Sequence, residues 1–250
     1  MTSNRFFIKE NDVISSPVLL RGKEHRHLSK VVRIKPAERI WLFDEKGINY
    51  LARVEEIHHD HTRLIILERK SPETPRVLIT LGQALLKLKA MEIVLQRAAE
   101  LGAHIFVPVV SSRSIIRIEE KQQRKIERWN KIVMSAAKQC GRTRVPDILF
   151  PQTLEDVLEK RGETGRFYLS EKRGVPIKHI FTADFQKRKA GRSDAEELIV
   201  LIGPEGGWTE QEERDILKHD YEPISLGRTT YRAETAAVIC LAMMTQHWNE

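Results

Sequence analysis

Cysteine is nearly absent from this chain of 250 residues, with only Cys140 and Cys240 present. Two thiols cannot build a disulfide framework or a multi-cysteine zinc site. Long apolar runs are missing too. The longest aliphatic stretch, Leu198–Ile202, falls far short of the roughly 20 residues a membrane helix needs. The opening MTSNRFFIKE has no apolar core and no cleavage site, which argues against export and makes a cytoplasmic location the expectation. There is no Gly-x-Gly-x-x-Gly fingerprint, no nucleophile elbow and no His-Glu-x-x-His. Those absences exclude the common dinucleotide, hydrolase and zinc-protease readings. His58, His59 and His61 cluster with no cysteine or second ligand group nearby, so no metal is expected.

What is present is ordinary in bulk and polarised in detail. Hydrophobic residues make up 41% and charged residues 31%, with a mean hydropathy of -0.40, enough apolar material for a sizeable core. The formal charge of +7 is unevenly spread. Residues 111–146 alone carry ten basic against three acidic side chains, a net +7, while residues 147–250 are net -5. A single-sign segment of this density is the footprint of a phosphate-backbone binder, against the alternative of a solvated helix face.

The pattern along the chain changes once. Arg5–Ile8, Ile40–Phe43, Ile48–Ile57 and Thr62–Arg69 read as strands, the last two a hairpin closed by the histidine loop. Asp44–Gly47 reads as a turn, with glycine where a positive φ is cheap. Lys23–Arg33 reads as a short basic helix with Leu28, Val31 and Val32 on one side. The linker Ser71-Pro72-Glu73-Thr74-Pro75 breaks both periodicities and sets a division into 1–72 and 73–250. Beyond it strands and helices alternate. Strands are expected at Arg76–Leu81, Ile105–Val110, Phe167–Ser170 and Leu198–Ile202, the last without alternation, as a buried parallel strand requires. Met91, Val94, Leu95, Ala98 and Leu101 fall at helical spacing before Gly102, a C-cap glycine. Ile126, Trp129, Val133, Ala136 and Cys140 give a second apolar helix face. Thr209 and Glu212 form a capping-box pair. The final helix, Glu234–Trp248, is apolar nearly all round, so it and Cys240 belong to the core. The expected class is α/β, a mostly parallel sheet covered on both faces after a small β domain.

Two segments carry chemistry. Leu198–Ile202 runs into Gly203-Pro204-Glu205-Gly206-Gly207-Trp208 and then a capped helix. Ligands of open α/β sheets bind at the carboxyl ends of strands, where glycine permits close backbone approach. A phosphate loop needs Lys and Ser/Thr after its last glycine, and Glu205 repels phosphate. The loop therefore suits a ligand that is not polyanionic, against the alternative of a tight turn using glycine for itself. The second segment, Ser225-Leu-Gly-Arg-Thr-Thr-Tyr-Arg-Ala-Glu-Thr-Ala-Ala, sets Arg228 and Arg232 beside a glycine turn. They either hold a phosphate or polarised carbonyl, or form a salt-bridge cluster with Glu234.

Both loops closely resemble the signatures of the ribosomal RNA small subunit methyltransferase E family, of the SPOUT superfamily. His25-Arg-His-Leu-Ser-Lys-Val-Val-Arg-Ile-Lys-Pro with Leu42-Phe-Asp is similar to the family's PUA-like RNA-binding domain. Gln96–Gly102 and Lys138–Pro146 also resemble family segments, so the likeness spans nearly the whole chain. It implies a C-terminal trefoil-knotted parallel-sheet domain after a PUA-like β-barrel. It further implies an S-adenosyl-L-methionine cofactor, a homodimer, and methylation at N3 of a uridine in 16S ribosomal RNA of the small ribosomal subunit. The cofactor-binding residues implied are Leu169, Ile202, Gly203, Pro204, Glu205, Gly207, Leu226, Gly227 and Tyr231, with Arg232 the catalytic candidate. Arg26 and the basic residues Arg113, Arg124, Arg128, Lys131 and Arg142 are the RNA-binding candidates. The chain departs from the family at Thr230-Tyr231, usually an aliphatic pair, and at Lys87-Leu-Lys-Ala, usually a Lys-Gly-Asp-Lys-like turn.

Overall fold

The computed structural model describes residues 4–13, 17–72, 75–114, 122–142, 144–160, 165–181 and 196–249. The chain divides into two compact units, Met1–Glu73 with Met134–Val145, and Thr74–Val133 with Pro146–Glu250. A 1–72 and 73–250 division differs from this over 134–145, which group with the first unit.

The first unit is built on one five-stranded sheet. Its strands are β1 (Arg5–Phe7), β2 (Val18–Arg21), β3 (Arg39–Phe43), β4 (Asn49–Ile57) and β5 (His61–Lys70), in the order β1-β3-β4-β5-β2. The β1–β3 pair is parallel and the rest are antiparallel. Burial alternates along β3 and β4, so Ile40, Leu42, Tyr50, Ala52 and Val54 join Leu64 in one core. Two register shifts between β4 and β5 bend the ladder and curl the sheet. The turn after β3 forms as its residues require. Gly47 has φ 79°, and the buried Asp44 carboxylate accepts from the backbone N–H of Lys46 and Ile48 and from the Tyr50 hydroxyl. Burial, then that bond, pushes the Tyr50 hydroxyl up to about 12, so it stays a donor.

Helix α1 (Glu10–Val13) and β2 lie where no element was expected. The basic helix splits into α2 (Gly22–Arg26) and a π-helical turn over His27–Val32 that ends on Arg33 at φ 59°. The wider winding keeps Leu28 buried and Val32 against the core but rotates Val31 outward to 69% exposure, correcting its assignment to the inner face.

The second unit holds an eight-stranded sheet. Its path runs β11 (Val175–Pro176), β13 (Glu222–Ser225), β10 (Gly165–Leu169), β12 (Glu196–Ile202), β6 (Val77–Ala84), β7 (Ile105–Val110) and β8 (Asp147–Ile148), with β9 (Gln152–Thr153) also on β7. Every pair is parallel. Leu198 to Ile202 are all buried, as a strand covered on both faces must be. One face of the sheet packs Val107, Val109, Ile199 and Leu201 with Leu154, Val157 and Leu158 of α5 (Leu154–Glu159) and Ile216 of α6 (Glu210–Lys218). On the other, α7 (Ala233–Asn249) packs against β6, β12 and α3 (Leu88–Leu101). Gly102 ends α3 at φ 88°, and Thr209 and Glu212 cap α6 reciprocally. Cys240 is buried in α7, and burial pushes its thiol up to about 12.

In α4 (Gln122–Cys140) the stripe Ile126, Trp129, Val133 and Ala136 is buried, but Cys140 is exposed rather than core. It is the helix's last residue, on the apolar face but past the surface that face covers.

Gly82 shows how tightly the central strands pack. A Cβ there would sit 2.4 Å from Leu201 Cδ2, and Leu201 is fully buried. Gly82→Ala is expected to destabilise the protein by about 1–3 kcal/mol, because overpacking outweighs the chain-entropy gain. A lowered urea midpoint with unchanged slope is the outcome that checks it; an unchanged midpoint contradicts it.

Candidate active site

Strands β13, β10 and β12 are neighbours, and all point their carboxyl ends to one edge of the sheet. The chain leaves β12, passes over β10 and pairs on its far side as β13. That crossing is a switch point, where the loops diverge and leave a crevice. The crevice is a cavity walled by three loops. The end of β10 contributes Leu169, the end of β12 contributes Ile202, Gly203, Pro204, Glu205 and Gly207, and the end of β13 contributes Leu226, Gly227 and Tyr231. All nine residues singled out in the two motifs and at the end of β10 therefore share one cavity.

Local forces hold the loops in place. Gln83, fully buried at the end of β6, donates its amide to the carbonyls of Ile202 at 3.4 Å and Gly203 at 3.2 Å. Gly203 lies against Trp208, where a Cβ would meet the indole Nε1 at 3.3 Å. Gly207 and Gly227 have φ of +67° and +107°, and a Cβ at either would meet nothing within 4 Å. Their α-carbons thus leave room rather than fill it. Trp208 Nε1 is buried and, among the described residues, has no hydrogen-bond partner.

The basic segment is divided in its duties. Arg113 lines the cavity and donates from Nη1 to the Gly206 carbonyl at 2.6 Å. The neighbouring Ser112 N–H donates to Glu212 Oε1 at 2.7 Å, joining this loop to the cap of α6. Arg128 pairs with Glu92 at 2.6 Å, and Lys138 pairs with Glu24. Arg124 and Lys131 are exposed on α4 without an ion pair among the described residues. Arg142 is half-buried, and Arg26 is exposed on α2. Arg117 and Lys121 lie outside the described residues.

Arg232 does not wall the cavity. It is exposed and sits between two residues that do, Tyr231 and Ala233, at the start of α7, where its carbonyl accepts the Ala236 N–H. Among the described residues neither Arg232 nor Glu234 forms an ion pair, so the salt-bridge cluster does not form.

Several lining residues went unremarked in the sequence. Ser170 and Lys172 follow β10, and the strand-end rule applied to that strand would have found them. Gln83 carried a usable signal as a lone amide in an otherwise apolar buried strand. Glu213 carried none, being one of four acidic residues between Glu210 and Asp215.

A parallel sheet with a switch-point cavity, in a chain that also carries a curled β unit, is the architecture of an RNA methyltransferase. Residues 72–245 match the family model described as an RNA methyltransferase domain, and residues 20–67 match one described as an RNA methyltransferase PUA domain. The chain belongs to the ribosomal RNA small subunit methyltransferase E family. The relative of that name from Bacillus subtilis is 26% identical over 249 residues, covering 96% of this chain and 95% of its own length. The Aquifex aeolicus relative is 29% identical, covering 91% and 93%. The crystal structure of the family member from Neisseria gonorrhoeae, bound to S-adenosyl methionine, is 30% identical with a TM-score of 0.84 over 98% of each chain.

Proposed function

We propose that this protein transfers a methyl group from S-adenosyl-L-methionine to N3 of a uridine in 16S ribosomal RNA of the small ribosomal subunit. The observation that carries the reading is the convergence of three parallel strand ends on one cavity, within a chain whose relatives bear that family's name. The residues fit the cofactor. The strand-end loops bring backbone and glycine to the cavity, the indole N–H of Trp208 has no partner among the described residues, and the sequence has no Gly-Lys-Ser/Thr phosphate cradle there. The nine cavity residues named above are the proposed cofactor contacts.

The cofactor supplies an electrophilic methyl on a sulfonium. The chain's own task is to hold uracil N3 in line with it, since a fixed near-attack geometry removes much of the barrier. The N3 proton must leave as the N–C bond forms, and negative charge grows on the flanking carbonyl oxygens. Arg232, beside the cavity and without an ion pair among the described residues, is the proposed group that stabilises that charge. N3 lies on the Watson–Crick edge, so the base has to be unpaired or flipped. Arg26, Arg113, Arg124, Arg128, Lys131 and Arg142 are the proposed RNA contacts. A homodimer, a trefoil knot in the second unit and a cytoplasmic location complete the reading. Sedimentation velocity reads the first of these.

The deciding experiment is nucleoside mass spectrometry of small-subunit ribosomal RNA incubated with the protein and cofactor. The expected product is 3-methyluridine; a ribose-methylated nucleoside, or none, refutes the reading. For Arg232→Ala, single-turnover methyl transfer is expected to fall about 100-fold or more while cofactor affinity and melting temperature hold. A wild-type rate would remove its proposed role. Reversing Arg124 and Lys131 to glutamate should weaken RNA binding and flatten its dependence on salt. An unchanged salt slope would mark both as solvated surface.

A further inference from the structure

The charged groups that wall the cavity are unequal in one respect. Glu171, Lys172, Glu205, Arg113 and Arg228 are all exposed, and water screens them. Glu213 alone is buried, 7% exposed, projecting from the first turns of α6. Its carboxylate Oε1 accepts the Ser170 hydroxyl at 3.1 Å, and Ser170 is in turn held by the Arg173 N–H at 3.1 Å. Among the described residues no lysine, arginine or histidine lies within ion-pair distance of it. An ionised carboxylate taken out of water with one neutral hydrogen bond is costly, and folded proteins keep such a group only where something compensates it. Glu213 sits in the first turn of α6, whose N-terminal end favours a carboxylate, so the buried wall of the cavity offers a ligand one acidic side chain held by a hydroxyl and a helix start, with no cationic side chain paired to it among the described residues.

We propose that Glu213, oriented by Ser170, is the counter-charge for a cationic group of the cavity's ligand. This deepens the proposed function and rests on it, because the cofactor named there carries two cations, a sulfonium and an amino-acid ammonium. Both present positive charge to a carboxylate, and the ammonium adds N–H donors. They differ in one way that can be measured: the sulfonium becomes a neutral thioether once the methyl has left, whereas the ammonium persists in S-adenosylhomocysteine. A carboxylate serving the sulfonium makes the cavity prefer the charged cofactor over the spent one. A carboxylate serving the ammonium holds both alike. Glu213 lies outside both signature motifs, on helix α6.

The test is calorimetric titration of the full-length protein and its Glu213→Gln variant with S-adenosylmethionine and with S-adenosylhomocysteine, beside melting curves. Glutamine keeps an oxygen to accept the Ser170 hydroxyl and removes only the charge. The expected result is a loss of about tenfold or more in S-adenosylmethionine affinity, the scale of one charge-assisted contact, while the melting temperature holds. Loss for S-adenosylmethionine alone assigns the sulfonium, and equal loss for both ligands assigns the ammonium; either supports the proposal. Glu213→Asp retains the charge and should recover part of the affinity. A folded Gln variant with wild-type affinity for S-adenosylmethionine overturns it. So does a Gln variant that loses affinity only in step with a falling melting temperature and that aspartate fails to rescue. Wild-type protein that binds neither ligand overturns the cofactor reading instead, which keeps the two failures apart.

Discussion

Pairing on both edges governs β12. With β10 paired to Leu198–Leu201 on one side and β6 along the other, the centre of the strand is hydrogen-bonded on both edges, and Leu198 to Ile202 are buried. The chain can leave the sheet only at the carboxyl end, and it does so at Ile202–Gly203. There the first carbonyls beyond the ladder need donors, and Gln83 supplies them from the neighbouring strand. Gly203 then turns close against the Trp208 indole, where a Cβ would meet Nε1 at 3.3 Å. The position of the whole Gly203–Gly207 loop follows from these contacts, and so does the cavity it walls.

The loops reach each other through a few polar bonds of high value. Glu212 is both the reciprocal cap of α6 and the acceptor for Ser112 N–H, so a helix start and the loop after β7 are fixed by one carboxylate. Arg113 adds a guanidinium bond to Gly206. Short charge-assisted contacts of this kind are stronger than neutral ones and hold a loop in one place. The basic segment therefore begins by bracing the cavity loop, and its exposed, unpaired charge on α4 begins later, at Arg124. Net charge measured along a sequence counts both kinds alike, although the first kind is partly engaged within the protein.

Much of this molecule is legible in its residues because the hydrophobic pattern has a period. Alternation along β3 and β4, unbroken apolar content along β12 and three-and-four spacing in α3 each follow from the geometry of the element that forms. Capping residues and turn glycines mark the ends for equally local reasons: Gly47, Gly102 and the Thr209–Glu212 pair do what their chemistry prescribes. The misreadings are local as well. Val31 turns outward because the chain winds as a π-helix over His27–Val32, a change of pitch that no apolar count contains. Cys140 keeps the correct helical phase yet is exposed because it comes last in its helix. Short elements such as β2 escape because four residues are too few for a period to declare itself.

The class, the two loops with their glycines, and the family can be read from contiguous residues, because in each the spacing carries the information. Tertiary structure decided which strand ends are neighbours. β10, β12 and β13 are separated in the chain by tens of residues, and only the crossing of β12 over β10 to β13 brings Leu169, Ile202 and Leu226 around one cavity. It also decided the state of each charge. Glu212 as a brace, Glu213 as a buried carboxylate and Arg113 as a loop clamp are indistinguishable from surface charge when read in a line. Their environments come from residues about a hundred positions away or across the sheet, and burial, unlike periodicity, is a property of the assembled fold.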